Sequence, residues 1–198
     1  MENITKMRNA LKTFLKASAD ATKEIKRNNE IYQHDAALEA NRIVAARRNA
    51  ARDAARTEVE AAAAAGKAKA EAWGRMDGAK ITEDAKLLQF SMTPEQFKEL
   101  VERHRGNGTM IHLLAQYGTE QNAKNGASLY QHTEKYFPVA ELPTLEKKID
   151  TYTKFEGYAL QLLPRIAEHP ELPGIIEEVD NFGVRHPGTP SPLLDAIE

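Results

Sequence analysis

The chain has 198 residues, and 27 Lys and Arg against 29 Asp and Glu leave a formal net charge of −2. This length accommodates one or two domains, and the lack of cysteine excludes disulfides and thiolate chemistry. The N-terminus carries Glu2 and scattered lysines where a secretory signal needs a continuous apolar stretch, and no segment reaches the roughly 20 apolar residues of a membrane span. We therefore expect a chain that is not secreted by a signal peptide and does not enter a membrane.

The N-terminal third is rich in alanine and contains no glycine or proline before Gly66. Large apolar side chains number 12 in residues 2–72 and 39 in residues 73–198, so only the second part has the density of a globular core. This composition predicts a long helical rod over residues 1–74. Because helices are stabilised mainly by packing, we expect the rod to lean on another polypeptide.

One face of this rod has the spacing of a coiled-coil seam. Its apolar residues step by three and four positions, and the phase continues with lower quality to a polar seam residue, Asn28. Past Tyr32 the phase fails, which indicates either a stutter or a break near Asn28-Asn29. The pattern predicts self-association without choosing dimer over trimer. The residues predicted to carry it are Ile4, Met7, Leu11, Phe14 and Ile25.

Five arginines follow on the same predicted helix, three of them at i, i+4 and i+8, with Asp53 as the opposing charge. An ordinary solvated face is the favoured interpretation. An acidic protein partner comes second and nucleic acid last, because a row of guanidinium groups suits carboxylate or phosphate. The five are Arg42, Arg47, Arg48, Arg52 and Arg56.

Glycines and the turn signal Asp77-Gly78 mark the start of a second region, a helical domain over residues 75–182, with Trp73 interpreted as a plug at the junction. Thr93-Pro94-Glu95-Gln96 predicts a capped helix start. The helix it starts is predicted to bury Phe97, Leu100, Val101 and His104. A second helix capped by Thr109 follows after a short connection, which predicts a helical hairpin.

Further along, a short helix is predicted over residues 128–136, and an amphipathic helix begins at Pro143-Thr144 and stops or kinks at Pro164. A last helix covers about residues 172–182, and residues 183–198 form a proline-rich, extended tail. The tail has an apolar tip predicted to dock in a groove, although a frayed terminus explains it equally well. The tip consists of Leu193, Leu194 and Ile197. Alternating strand patterns of useful length are absent, so the predicted fold class is all-α.

Chemical motifs are weak. The segment Arg103–Thr109 is the nearest to an anion site, but it lacks the Gly-Lys-[Ser/Thr] ending of a phosphate-binding loop, and a helix connection explains it. The hairpin does not suit DNA reading, because residues 109–121 contain no Lys or Arg. The six histidines show no metal-ligand spacing, and no residue is predicted to be catalytic or to bind a cofactor or metal. An enzyme, which would need a pocket with convergent polar groups, is the least supported class.

Residues 91–122, SMTPEQFKELVERHRGNGTMIHLLAQYGTEQN, resemble small helical proteins encoded in the structural-gene regions of tailed bacteriophages and prophages. Those proteins similarly join an alanine- and charge-rich N-terminal helix to a helical segment with a Thr-Pro-Glu start and an Asn-x-Thr-Met turn. The resemblance implies a non-enzymatic virion structural or head-assembly protein, either a scaffold or an accessory protein, that packs on itself or on capsid subunits. Its expected location is the virion, or the host cytoplasm during assembly. The alternative is a cytoplasmic helical adaptor or nucleic-acid-associated protein that uses the arginine stripe.

Overall fold

The computed structural model describes residues 1–124, 136–185, 192–195 and 197, and within them the chain is all-α, as predicted. No strand occurs in these ranges, and none of their helices has the length and apolar character needed to cross a bilayer. Most of the helix predicted over 128–136 lies outside the described residues. The α helices are α1 (Glu2–Ile31), α2 (His34–Gly74), α3 (Pro94–His104), α4 (Gly108–Lys124), α5 (Leu145–Glu168), α6 (Pro173–Asp180) and α7 (Pro192–Asp195). Short 3-10 helices cover Gly78–Lys80, Glu83–Gln89 and Val139–Glu141.

The N-terminal segment is two helices rather than one rod. Tyr32 takes an extended conformation, with φ −99° and ψ 151°, and its N–H bonds the carbonyl of Asn28 to close α1. Hydrogen bonds then connect the end of α1 to the start of α2, with Asn28 Nδ2 donating to Asn41 Oδ1 at 3.0 Å. The failure of the seam pattern past Tyr32 therefore marks a real break, a few residues beyond Asn28-Asn29.

The chain forms two compact units that differ from the predicted division at 74 and 182. Unit 1 comprises residues 1–67 and 150–194, and unit 2 comprises residues 68–149 and 195–198. The expectation that residues 1–74 need another polypeptide is wrong, because most of them pack with a distant part of their own chain. The reason is that small side chains on α2 allow close approach: a Cβ built on Gly66 would lie 2.6 Å from Tyr152 Cζ.

Unit 1 brings α1 against α5 and α6. Ser18, fully buried on α1, donates its hydroxyl to the carbonyl of Ile166 at 3.1 Å, and Lys12 pairs with Asp180 at 2.7 Å. A stop or a kink was predicted at Pro164; the helix α5 continues through this proline to Glu168, so the stop is wrong. The apolar residues on both sides of the proline explain the continuation, since Leu162, Leu163 and Ile166 are all buried.

Unit 2 is built around the hairpin of α3 and α4. Thr93 and Gln96 form the predicted capping box, and α3 buries the four residues expected of it, Phe97, Leu100, Val101 and His104. Aromatic edge contacts join Phe97, Tyr117 and Phe137, with ring centroids 5.2 to 5.8 Å from Phe137. The predicted cap of α4 is corrected: Asn107 Oδ1 accepts from Met110 N at 3.3 Å, while Thr109 is buried and its hydroxyl accepts from Asp77 N.

Candidate interaction surfaces

The predicted self-association face of α1 is buried inside unit 1. Its first four residues are at most 1% exposed, and Ile25 is half-buried. The seam spacing marks an apolar helix face, but a coiled coil is not confirmed, and α5 and α6 of the same chain belong to the unit that covers this face. The prediction that this face binds a second copy is therefore wrong for these four residues: Ile4, Met7, Leu11 and Phe14.

The arginine stripe is largely neutralised by carboxylates of the same chain. Four of its members form ion pairs, which are Arg42 with Glu39, Arg47 with Glu24, Arg52 with Asp53 and Arg56 with Glu60. The fifth, Arg48, is half-buried and donates to the carbonyl of Ala167 at 3.4 Å. Only Asp53 was predicted to oppose the stripe, although Glu39 and Glu60 lie one helical turn from their partners. This arrangement is typical of a solvated helix face.

The tail tip divides between the two units. Leu194, on α7, is 2% exposed and belongs to unit 1, whereas Ile197 is half-buried and belongs to unit 2. The side chain of Leu193 lies outside the described residues. Leu194 is thus buried, while docking of the tip in a groove stays a prediction.

An apolar groove, which was not predicted from the sequence, lies on unit 2 beside α3. We call it the Phe90 groove. It has a volume of about 280 Å³, and Phe90 at its edge is 66% exposed, while Leu87 is 42% exposed. The complete lining is Leu87, Phe90, Ser91, Met92, Gln96, Glu99, Leu100 and Arg103. A signal was present in the apolar run Leu87-Leu88-Gln89-Phe90, which precedes the capped start of α3.

Two anchors hold the wall of the Phe90 groove in place. At one end, Tyr117 donates its hydroxyl to the carbonyl of Phe90 at 3.1 Å and accepts from Met92 N at 3.0 Å. At the other end, Asp84 lies 2.8 Å from His104 Nε2 and accepts from Arg103 at 3.2 Å. The groove is therefore held open by hydrogen bonds on both sides while its largest apolar side chain stays in water.

The Asp84 anchor also explains the burial of His104, which the sequence predicts for the apolar face of α3. The hydrogen bond from His104, followed by that from Arg103, lowers the pKa of the Asp84 carboxyl below its ordinary value. Asp84 is therefore ionised and bonded on two sides, which fixes the 3-10 helix Glu83–Gln89 to α3. Within the described residues, no cluster of His, Asp and Glu has the arrangement needed to hold a metal ion.

A second exposed apolar region surrounds the turn between α1 and α2. Ile31 and Tyr32 at the end of α1 are 60% and 51% exposed, and Leu38 and Ile43 on α2 are exposed to a similar degree. These side chains flank the buried stripe of α2 rather than joining it. They provide a comparison for the Phe90 groove, because they are equally apolar but line no pocket among those described.

Comparisons of the chain with protein families, with curated proteins and with solved structures gave no match in any of the three.

Proposed function

We propose that this chain is a non-enzymatic virion structural or head-assembly protein of a tailed bacteriophage, which contacts a capsid subunit through the Phe90 groove. The observation that carries the proposal is the exposure of Phe90 at the edge of a groove that hydrogen bonds already hold open. The groove also borders the hairpin of α3 and α4, the part of the chain that resembles phage structural proteins.

The chemistry of the groove suits the apolar face of a partner helix. Leu87, Met92 and Leu100 supply an apolar lining, and Glu99 and Arg103 pair at 3.0 Å on its rim. Aromatic side chains at the centre of such contacts commonly dominate binding energy, and a charged rim orients the partner. A groove whose shape exists before binding also reduces the ordering cost of association.

Other surfaces support the proposal less well. The apolar face of α1 is buried, so self-assembly through that face is not part of it. The arginine stripe, the basis of the adaptor or nucleic-acid alternative, has its charges paired within the chain. We therefore propose one function and place its contact on unit 2.

The test compares Phe90→Ser with Tyr32→Ser, which removes an equally exposed aromatic side chain far from the groove in sequence. Procapsids and mature particles are purified from the phage or prophage that encodes the chain, and each variant is quantified in them by mass spectrometry. We expect Phe90→Ser to lower incorporation about tenfold or more, as loss of a central aromatic contact does. Tyr32→Ser is expected to leave it unchanged.

The same measurement separates the two forms of the proposal. A chain found in procapsids and lost from mature particles acts as a scaffold, whereas a chain retained in both is an accessory component. Absence of the unmodified chain from both kinds of particle would contradict the function. Equal incorporation of both variants would contradict the role of the groove.

A further inference from the structure

A buried lysine in unit 2 lacks a conventional partner. Lys148 is 5% exposed, and its Nζ lies 4.7 Å from the ring centroid of Trp73. In the described part of the chain, that cation–π contact is the one direct interaction of its ammonium group, with no hydrogen bond or ion pair to an oxygen. Burial of a charged group without such a partner is costly, so buried lysines are normally paired.

A second cation faces the same problem nearby. Arg105 donates Nη1 to Glu102 at 3.1 Å and Nη2 to the carbonyl of Asp195 at 2.9 Å, but its Nε is buried and has no hydrogen-bond partner among the described residues. The pKa of Lys148 is lowered, mainly because burial removes its ammonium group from water. Repulsion by the positive charge of Arg105 is the second cause. The two cations therefore repel each other, and the carboxylate of Glu102 accepts only from Nη1 of the guanidinium.

Backbone geometry adds positive potential at Lys148, which lies in the first turn of α5. The N-terminal end of a helix carries partial positive charge, so a cation is unfavourable there. Arg105 is the C-cap residue of α3, where a cation is favourable, so the helix dipole disfavours only the lysine. Trp73 holds this region together, because its Nε1 donates to the carbonyl of Arg105 at 3.3 Å and its backbone packs directly against Gly108.

We propose that unit 2 binds a phosphate group between the ammonium of Lys148 and the free Nε of Arg105, beside the ring of Trp73. A phosphate has enough oxygens to accept from both cations at once and enough charge to offset both. The site would give Lys148 and Arg105 Nε the acceptors that the described chain does not supply. Inorganic phosphate and the phosphate of a small phosphomonoester share this chemistry.

The test uses Trp73 as its reporter, because it is the only tryptophan in the sequence. The full chain is titrated with sodium phosphate at constant ionic strength set by sodium chloride, and tryptophan emission is followed. We expect a saturable change in emission and an upward shift of the thermal unfolding midpoint with phosphate. Ribose 5-phosphate and sodium acetate are titrated in parallel. Ribose 5-phosphate shows how a phosphomonoester binds relative to inorganic phosphate, and acetate shows whether a simple carboxylate binds as well as either.

Lys148→Met removes the charge while keeping an apolar stem, and Arg105→Gln removes the second cation. We expect each variant to weaken phosphate binding about tenfold or more, as loss of a charge-assisted contact does. Lys86→Met is the matched control: it removes one positive charge from the same unit at a side chain that is 72% exposed. The control is expected to bind like the unmodified chain.

Three results would overturn the site. The first is the absence of any saturable change with phosphate in the unmodified chain. The second is unaltered binding in both Lys148→Met and Arg105→Gln. The third is acetate binding as tight as phosphate binding. Should Lys148→Met fail to fold, Arg105→Gln and the comparison of phosphate with acetate still decide, and tighter binding of ribose 5-phosphate would assign the site to a phosphomonoester.

Discussion

Replacing Gly66 by alanine distinguishes a chain that folds back on itself from a free helical rod. In a solvated helix this substitution stabilises by about 1 kcal/mol, because glycine is the poorer helix former. In the structure the new methyl group would overlap Tyr152, which is 6% exposed, and would lie 2.6 Å from its Cζ. Overpacking of this kind costs about 1–3 kcal/mol. Since several ring atoms are involved and the ring is confined, we expect a net loss of about 1–2 kcal/mol.

Gly157→Ala provides the control within the same unit. Gly157 lies inside α5, and a Cβ built there meets nothing within 4 Å, so alanine is expected to stabilise by about 0.5–1 kcal/mol. Both free energies of unfolding are measured by urea denaturation followed by circular dichroism at 222 nm, the helix band. If Gly66→Ala stabilises the chain as much as Gly157→Ala does, α2 does not pack on α5 at this position and the description of unit 1 is refuted.

Three further substitutions test other contacts by the same unfolding measurement. Gly183→Ala should destabilise by about 2–5 kcal/mol, because Gly183 has φ 62° and its added Cβ would overlap Ile4; a loss below about 1 kcal/mol would contradict that contact. Phe97→Ala should cost about 3–5 kcal/mol, since the ring is fully buried, and a surface-like cost would refute the aromatic core of unit 2. The pKa of Asp84 is lowered on folding, so its stabilisation is complete above the ordinary value of 3.8 and is lost as the pH falls through the folded pKa. The stability difference between the unmodified chain and Asp84→Asn should therefore shrink below pH 4, and a constant difference from pH 6 to pH 3 would show that the bond to His104 does not favour the ionised form.

Local signals in the sequence predicted the elements whose stability is decided locally. The capping box at Thr93 and Gln96 satisfies backbone groups within one turn, so sequence spacing alone identifies it. The buried face of α3 follows from helical periodicity in the same way. The ion pairs of Arg42 and Arg56 could also have been predicted from the sequence, because their partners lie three and four residues away.

Contacts between distant parts of the chain could not be predicted from the sequence. Gly66 and Tyr152 are separated in sequence by most of unit 2, and an alanine-rich helix has no local pattern that identifies the helix it packs against. Burial on both sides of Pro164 outweighed the preference of proline for a helix end. The cluster of Trp73, Arg105 and Lys148 joins three segments, none of which has a recognisable motif.

Unit 1 is assembled from two separate stretches, residues 1–67 and 150–194, with most of unit 2 encoded between them, and this order affects synthesis. When residue 67 leaves the ribosome, the apolar face of α1 has been made but α5 and α6 have not. Translation adds about 5–20 residues per second, so this face waits on the order of 10 s for the helices that cover it. During that interval the nascent chain exposes Met7, Leu11 and Phe14, which makes it a target for chaperones before unit 1 is complete.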